Sequence, residues 1–184
     1  MKFNYPIVDD SDQIVGYRGK EQAYKERAML RSVQIFVYNT KGELYIQKRG
    51  GNKLRYPGYF CASVAGHVEP GESYREAATR ELREELGLKL KKVDDLKFIV
   101  KEKIPVGEDN YAMTSLFTII TDESITLQKK EIETGKFYTL KNVQRLISES
   151  FPFTPGFLYL FNKQYSTFQK NYLGCKDKET SDWD

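Results

Sequence analysis

The chain has 184 residues, enough for one domain with a sizeable core, and its 40% hydrophobic and 14% aromatic content excludes wholesale disorder. Its 29 basic and 26 acidic residues are interspersed and leave a formal charge of +3, so no polyelectrolyte face for nucleic acid is indicated. No apolar run approaches the roughly 18 residues that cross a bilayer, and Asp9 and Asp10 fall where a signal peptide needs its apolar stretch.

In chain order, NYPIVDDSDQIVGYRGK reads as an N-terminal hairpin over residues 4–18, turning at Asp-Ser-Asp. Glu21 to Leu30 is rich in helix formers and predicts a short helix. SVQIFVYN and ELYIQKR flank Thr-Lys-Gly, the pattern of an antiparallel pair with a tight connection. GGNKLRYPG is a loop with Lys53 and Arg55 exposed, and YFCASVAGHV returns to extended chain before Glu-Pro-Gly-Glu-Ser turns it. A helix follows from Ser73 to about Leu86. Ser73 is its N-cap, Glu76 completes a capping box, and Gly87 ends it. LKFIVKEKI, YAMTSLFTII and KFYTL read as strands; NVQRLISES and Phe157 to Phe168 read as helices. The whole predicts one α/β domain over residues 1–174, a sheet sandwiched by helices, followed by a polar tail over 175–184. Cys61 and Cys175 have no zinc or redox spacing and are expected as reduced thiols of a cytoplasmic protein.

The helix after Ser73 carries the chemistry. At about 100° per residue, Ala78, Leu82 and Leu86 form a buried stripe, while Glu81, Glu84 and Glu85 share an arc pointing away from it, with Ala77 leaving room beside them. Like charges at these spacings repel, at a cost of a few tenths of a kcal/mol per pair. Clustered carboxylates with an open approach suit a hard divalent cation, and magnesium pairs such ligands with substrate phosphates.

From Gly66 the chain runs GHVEPGESYREAATRELREELGL, which resembles the Nudix box, G-x5-E-x7-R-E-U-x-E-E-x-G-U with U aliphatic, at every specified position. Those positions are Gly66, Glu72, Arg80, Glu81, Leu82, Glu84, Glu85, Gly87 and Leu88. The resemblance implies a Nudix fold and a Mg2+- or Mn2+-dependent hydrolase that cleaves a diphosphate linkage by attack of metal-activated water on phosphorus. Its substrate would be a nucleoside diphosphate linked to X, or a related small organic diphosphate. The resemblance makes Glu81 and Glu85 metal ligands, with Glu84 assisting and Ala65 giving its backbone carbonyl. Arg80 and Glu72 would orient the carboxylates, and Glu131, in LQKKEIE, is the candidate base. His67, the chain's one histidine, fills an unspecified position and is expected to face solvent or support the site rather than ligate.

Upstream, Arg49, Lys53, Pro57-Gly58 and Gly66-His67 resemble the branch that includes isopentenyl diphosphate isomerase, which implies that Arg49 and Lys53 contact substrate phosphate. Those isomerases place a cysteine before the box glycine, where this chain has Ala65, and build a second metal site from several histidines. Hydrolysis is therefore expected over isomerisation. The alternatives are an isomerase-like enzyme or a silent nucleotide-sensing module. Tyr56, Tyr59, Phe60 and Tyr111 are candidates for stacking on a base or for the core, and SFPFTPGFLYLF is expected to pack the last helix. No basic-aromatic RNA platform is evident, and a homodimer is compatible with the sequence.

Overall fold

In the N-terminal hairpin, β1 (Asn4–Val8) pairs antiparallel with β2 (Ile14–Gly19). Asp9 closes the turn by accepting the amides of Ser11 and Gln13 at 2.9 Å each, and Asp12 takes a left-handed φ of 61°. The computed structural model describes residues 4–172; Cys175 and the tail over 175–184 lie outside them. Helix α1 (Lys20–Lys25) stops well short of Leu30. Arg27 adopts φ 54°, which ends helical geometry, and Leu30 is already in β3, paired to Ala112.

Strand β3 (Leu30–Tyr38) is the spine of the sheet. It runs parallel to β8 (Asn110–Ile120) in unbroken register from Leu30↔Ala112 to Tyr38↔Ile120, and antiparallel to β6 (Val64–His67) on its other edge. Strand β7 (Lys97–Gly107) pairs with β8. Strand β4 (Leu44–Arg49) pairs with β5 (Phe60–Cys61) and β9 (Ile132–Tyr138). These nine strands of the described residues form one mixed sheet.

The expected β3–β4 hairpin touches only at Tyr38↔Leu44, then splays. The reason is Ser63, which also breaks the expected continuous strand YFCASVAGHV into β5 and β6. Its buried hydroxyl accepts the Val37 amide at 2.8 Å and donates to the Tyr45 carbonyl at 2.5 Å. Those two groups would bond directly in the next rung of the hairpin; the hydroxyl stands in for that rung and holds the strands apart.

Helix α2 (Tyr74–Leu86) forms as its sequence dictates. Ser73 and Glu76 make a reciprocal capping box, and Gly87 takes the left-handed C-cap at φ 70°. Its Ala78, Leu82 and Leu86 pack on Val33, Ile35 and Val37 of one face of β3. Phe36 and Tyr38, on the other face, meet α3 (Leu140–Ser148) and α4 (Pro155–Tyr172). Burial on both faces explains the near-continuous apolar run of β3. Phe153, Phe157 and Phe161 stack in series at 5.1 and 5.3 Å, so this segment packs the last helix as expected. No helix among the described residues is long and apolar enough to cross a membrane.

Replacing Ser63 by Ala orphans a buried amide and a buried carbonyl, each costing roughly 1–3 kcal/mol. The variant is expected to melt about 4–24 °C lower. A melting temperature within 1 °C or so of wild type would show that the hydroxyl does not carry the junction.

Candidate active site

The site forms where α2 crosses β6. Gly66 makes the crossing possible: a Cβ there would lie 2.0 Å from Glu81 Oε1. The Glu81 side chain is 14% exposed, Glu85 only 4%, and Glu84 remains 43% exposed. The outward-pointing arc expected from helical geometry is therefore corrected. Only Glu84 faces out, while Glu81 and Glu85 turn in toward the sheet. Ala77, expected to leave open room beside the carboxylates, is fully buried in the core instead. Glu85 Oε2 accepts from Gln47 Nε2 at 3.0 Å and from the Ala65 amide at 3.4 Å.

Arg80 fixes the frame. Its Nε and Nη2 grip the two Glu72 oxygens at 2.7 and 2.9 Å, and Nη2 also donates to the His67 carbonyl at 3.0 Å. Its Nη1 reaches Glu81 at 2.9 Å and Glu84 at 3.4 Å. One guanidinium thus ties the turn before α2, the strand β6 and the helix face together.

Charge is left unbalanced there. Burial pushes the Glu85 carboxyl up to about 8, and the negative charge of Glu81 adds to the effect while Gln47 and Lys53 oppose it. Burial also raises Glu81; Arg80 opposes, and Glu84 and Glu131 push the same way as burial. Among the described residues no three His, Cys, Asp or Glu side chains are already drawn together around a metal position: Glu81 leans on Arg80, and Glu85 on Gln47. Buried oxygen donors that resist ionisation for lack of positive charge fit a hard divalent cation, which would supply that charge.

The basic side is less exposed than expected. Lys53 forms an ion pair with Glu131. Arg55, also placed outside by the sequence, lies over the Tyr24 ring and donates to the Val106 carbonyl at 2.6 Å. Arg49 spends Nε and Nη2 on the Arg55 carbonyl at 3.2 and 3.0 Å, because the loop folds back onto β4. Glu131 nonetheless acts electrostatically on both Glu81 and Glu85, so the turn before β9 brings it to the same centre. His67 does not face solvent. It packs edge-on against Tyr5 and Tyr24, with Nε2 3.0 Å from the Tyr24 hydroxyl. Burial and the cations Lys20, Arg49, Arg55 and Lys53 hold it neutral.

Lys20 and Gln47 were not singled out from the sequence. Gln47 had a signal, a polar residue on the inward side of the apolar strand LYIQ. Lys20 had none, since only the docking of the N-terminal hairpin brings it near Lys53 and Glu131. Beside the carboxylates, Ala65, Gly66 and His67 floor a cavity of about 120 Å³, with Tyr56 and Tyr111 in its wall. Phe60 packs instead on Phe151 and Phe153, and Tyr59 on Tyr56.

A family model described as the NUDIX domain matches residues 29–157, most of the chain. The chain belongs to the Nudix family. It is 32% identical over 174 residues to isopentenyl-diphosphate Delta-isomerase 1 of Photorhabdus laumondii, covering 92% of this chain and 97% of that one. It is 30% identical over 168 residues to the uncharacterized Nudix hydrolase lmo0368 of Listeria monocytogenes, covering 89% and 96%. Its fold is shared with DR0079 of Deinococcus radiodurans at a TM-score of 0.73 and 23% identity, over 88% of this chain and 99% of that one. Family membership makes the chain a Nudix-type pyrophosphohydrolase.

Because the folded Glu85 pKa lies near 8 against an ordinary 4.5, the folded state holds more protons than the unfolded one between those values. Stability of the metal-free protein therefore falls as pH rises through that window, and Glu81, also raised, adds the same sign. Chemical denaturation from pH 5 to pH 8 checks this. Glu85→Gln should flatten the slope and gain stability at pH 8; an unchanged slope would contradict the assignment.

Proposed function

We propose that the protein hydrolyses a diphosphate linkage in a nucleoside diphosphate linked to X, or a related organic diphosphate, with a divalent metal ion. The observation that carries this reading is the pair of buried carboxylates, Glu81 and Glu85, held beside the β6 backbone and short of positive charge. Glu81 and Glu85 would hold the ion, with Glu84 and the Ala65 carbonyl available to assist. Bound there, Mg2+ or Mn2+ would supply Lewis acidity to water and charge neutralisation to the diphosphate.

The remaining work falls to the chain. Arg80 keeps Glu81 and Glu84 aimed at one centre by gripping Glu72 and the His67 carbonyl. Lys53, Arg49 and Lys20 form the cationic wall for phosphate oxygens. Glu131, paired with Lys53, would take the proton from water once phosphate competes for the ammonium.

An isomerase reading is favoured by the 32% identity to the Photorhabdus enzyme. Against it, Ala65 precedes Gly66 with no thiol. Cys61 lines the same cavity, but burial pushes its pKa up to about 11, so it stays a neutral thiol.

Turnover of a panel of nucleoside diphosphate sugars, dinucleoside polyphosphates, coenzyme A and prenyl diphosphates with Mg2+ or Mn2+ tests the reading. Cleavage at the diphosphate is expected, with Glu85→Gln losing about a hundredfold or more in kcat and Glu84→Gln about tenfold or more. Full turnover by both variants on an accepted substrate would overturn the mechanism.

A further inference from the structure

The cavity beside the carboxylates holds a polar side chain, Gln34, that has no part in the hydrolytic machinery. Gln34 is 8% exposed, yet its Oε1 has no hydrogen-bond partner among the described residues. Buried carboxamides left unpaired are costly, and such groups are ordinarily satisfied by protein, water or a ligand. Gln34 stands opposite Ala65 in the β3–β6 ladder, so it is one strand away from the backbone that contacts Glu85. The first turn of α4 gives it room: a Cβ on Gly156 would lie 2.9 Å from Gln34 Nε2. Asn110 brings a second carboxamide to the same cavity, and Arg49 and Arg55 line it with no Asp or Glu among the described lining residues. Tyr24 and Tyr56 are fixed there by the Arg55 guanidinium at 4.7 and 5.4 Å.

A hydrocarbon chain pushed into this cavity would leave Gln34 Oε1 dry and unpaired. A ligand hydroxyl would donate to Oε1, and its oxygen would face the arginines that line the cavity. We propose that Gln34 is a specificity residue: it reads the organic moiety of the diphosphate and selects a hydroxyl-bearing group that can donate to its Oε1, as in a nucleoside diphosphate sugar, over a prenyl chain. This rests on the diphosphate-hydrolase reading and names the substrate class for the same site. The neighbouring hydroxyls add no competing demand, since Ser32 and Thr114 bond each other at 2.6 Å.

The test compares ADP-ribose with dimethylallyl diphosphate on wild type, Gln34→Leu and Gly156→Ala. Wild type should prefer ADP-ribose. Gln34→Leu should raise its KM roughly ten- to hundredfold with kcat within about twofold, as expected for binding lost equally from ground and transition states. Gly156→Ala, which crowds the amide, should move KM in the same direction. A melting temperature of Gln34→Leu at or above wild type would show that the loss is not unfolding. Preference for dimethylallyl diphosphate, or an ADP-ribose KM untouched by Gln34→Leu, overturns the proposal. If wild type cleaves neither, the hydrolase reading is decided on the wider panel above, and equilibrium titration with ADP-ribose still decides the cavity. Tenfold weaker binding to Gln34→Leu supports the role of Gln34, and equal binding overturns it.

Discussion

Everything in the site depends on how closely α2 approaches β6. The helix docks through Ala78, Leu82 and Leu86, and that docking forces the next face of the helix against the backbone at Gly66. Any side chain at position 66 would occupy the space of the Glu81 carboxylate. Hydrophobic burial therefore does electrostatic work: it drives two carboxylates into a place they would not choose in water.

Arg80 makes that place tolerable without making it neutral. Its fork is largely committed to Glu72 and to the His67 carbonyl, so only Nη1 is left for Glu81 and Glu84. Glu85 receives a neutral amide from Gln47 and, among the described residues, no cation within bonding distance. A second arginine there would stabilise the fold and close the site. The arrangement keeps a charge deficit that a divalent ion would relieve, and local stability is given up for it.

The sequence made the frame of this site readable and hid its walls. Helix α2 carried every local signal, from the Ser73–Glu76 box to the Gly87 cap, and the structure shows each of them. The Nudix box named Glu81, Glu84 and Glu85 because their spacing along one helix is a local property. The helical wheel still misjudged their exposure, since a wheel knows one stripe and not the β6 strand that covers the next. Ser63 was read as one more residue of an extended run. Its role as a wedge between β3 and β4 needs Val37 and Tyr45, which lie 26 and 18 residues away. Lys53 and Arg55 read as free loop charges for the same reason: their partners, Glu131 in the turn before β9 and Val106 in β7, meet the loop only in three dimensions.

We propose that Glu81 and Glu85 form an undercharged divalent-cation site. Calorimetric titration of the wild-type protein with Mn2+ at pH 7, in two buffers of different ionisation enthalpy, tests it most directly. With Glu85 near 8, binding should displace close to one proton per ion, and that proton should vanish from the balance in Glu85→Gln along with most of the affinity. Binding of equal strength to wild type and Glu85→Gln, with no proton released, would contradict the claim.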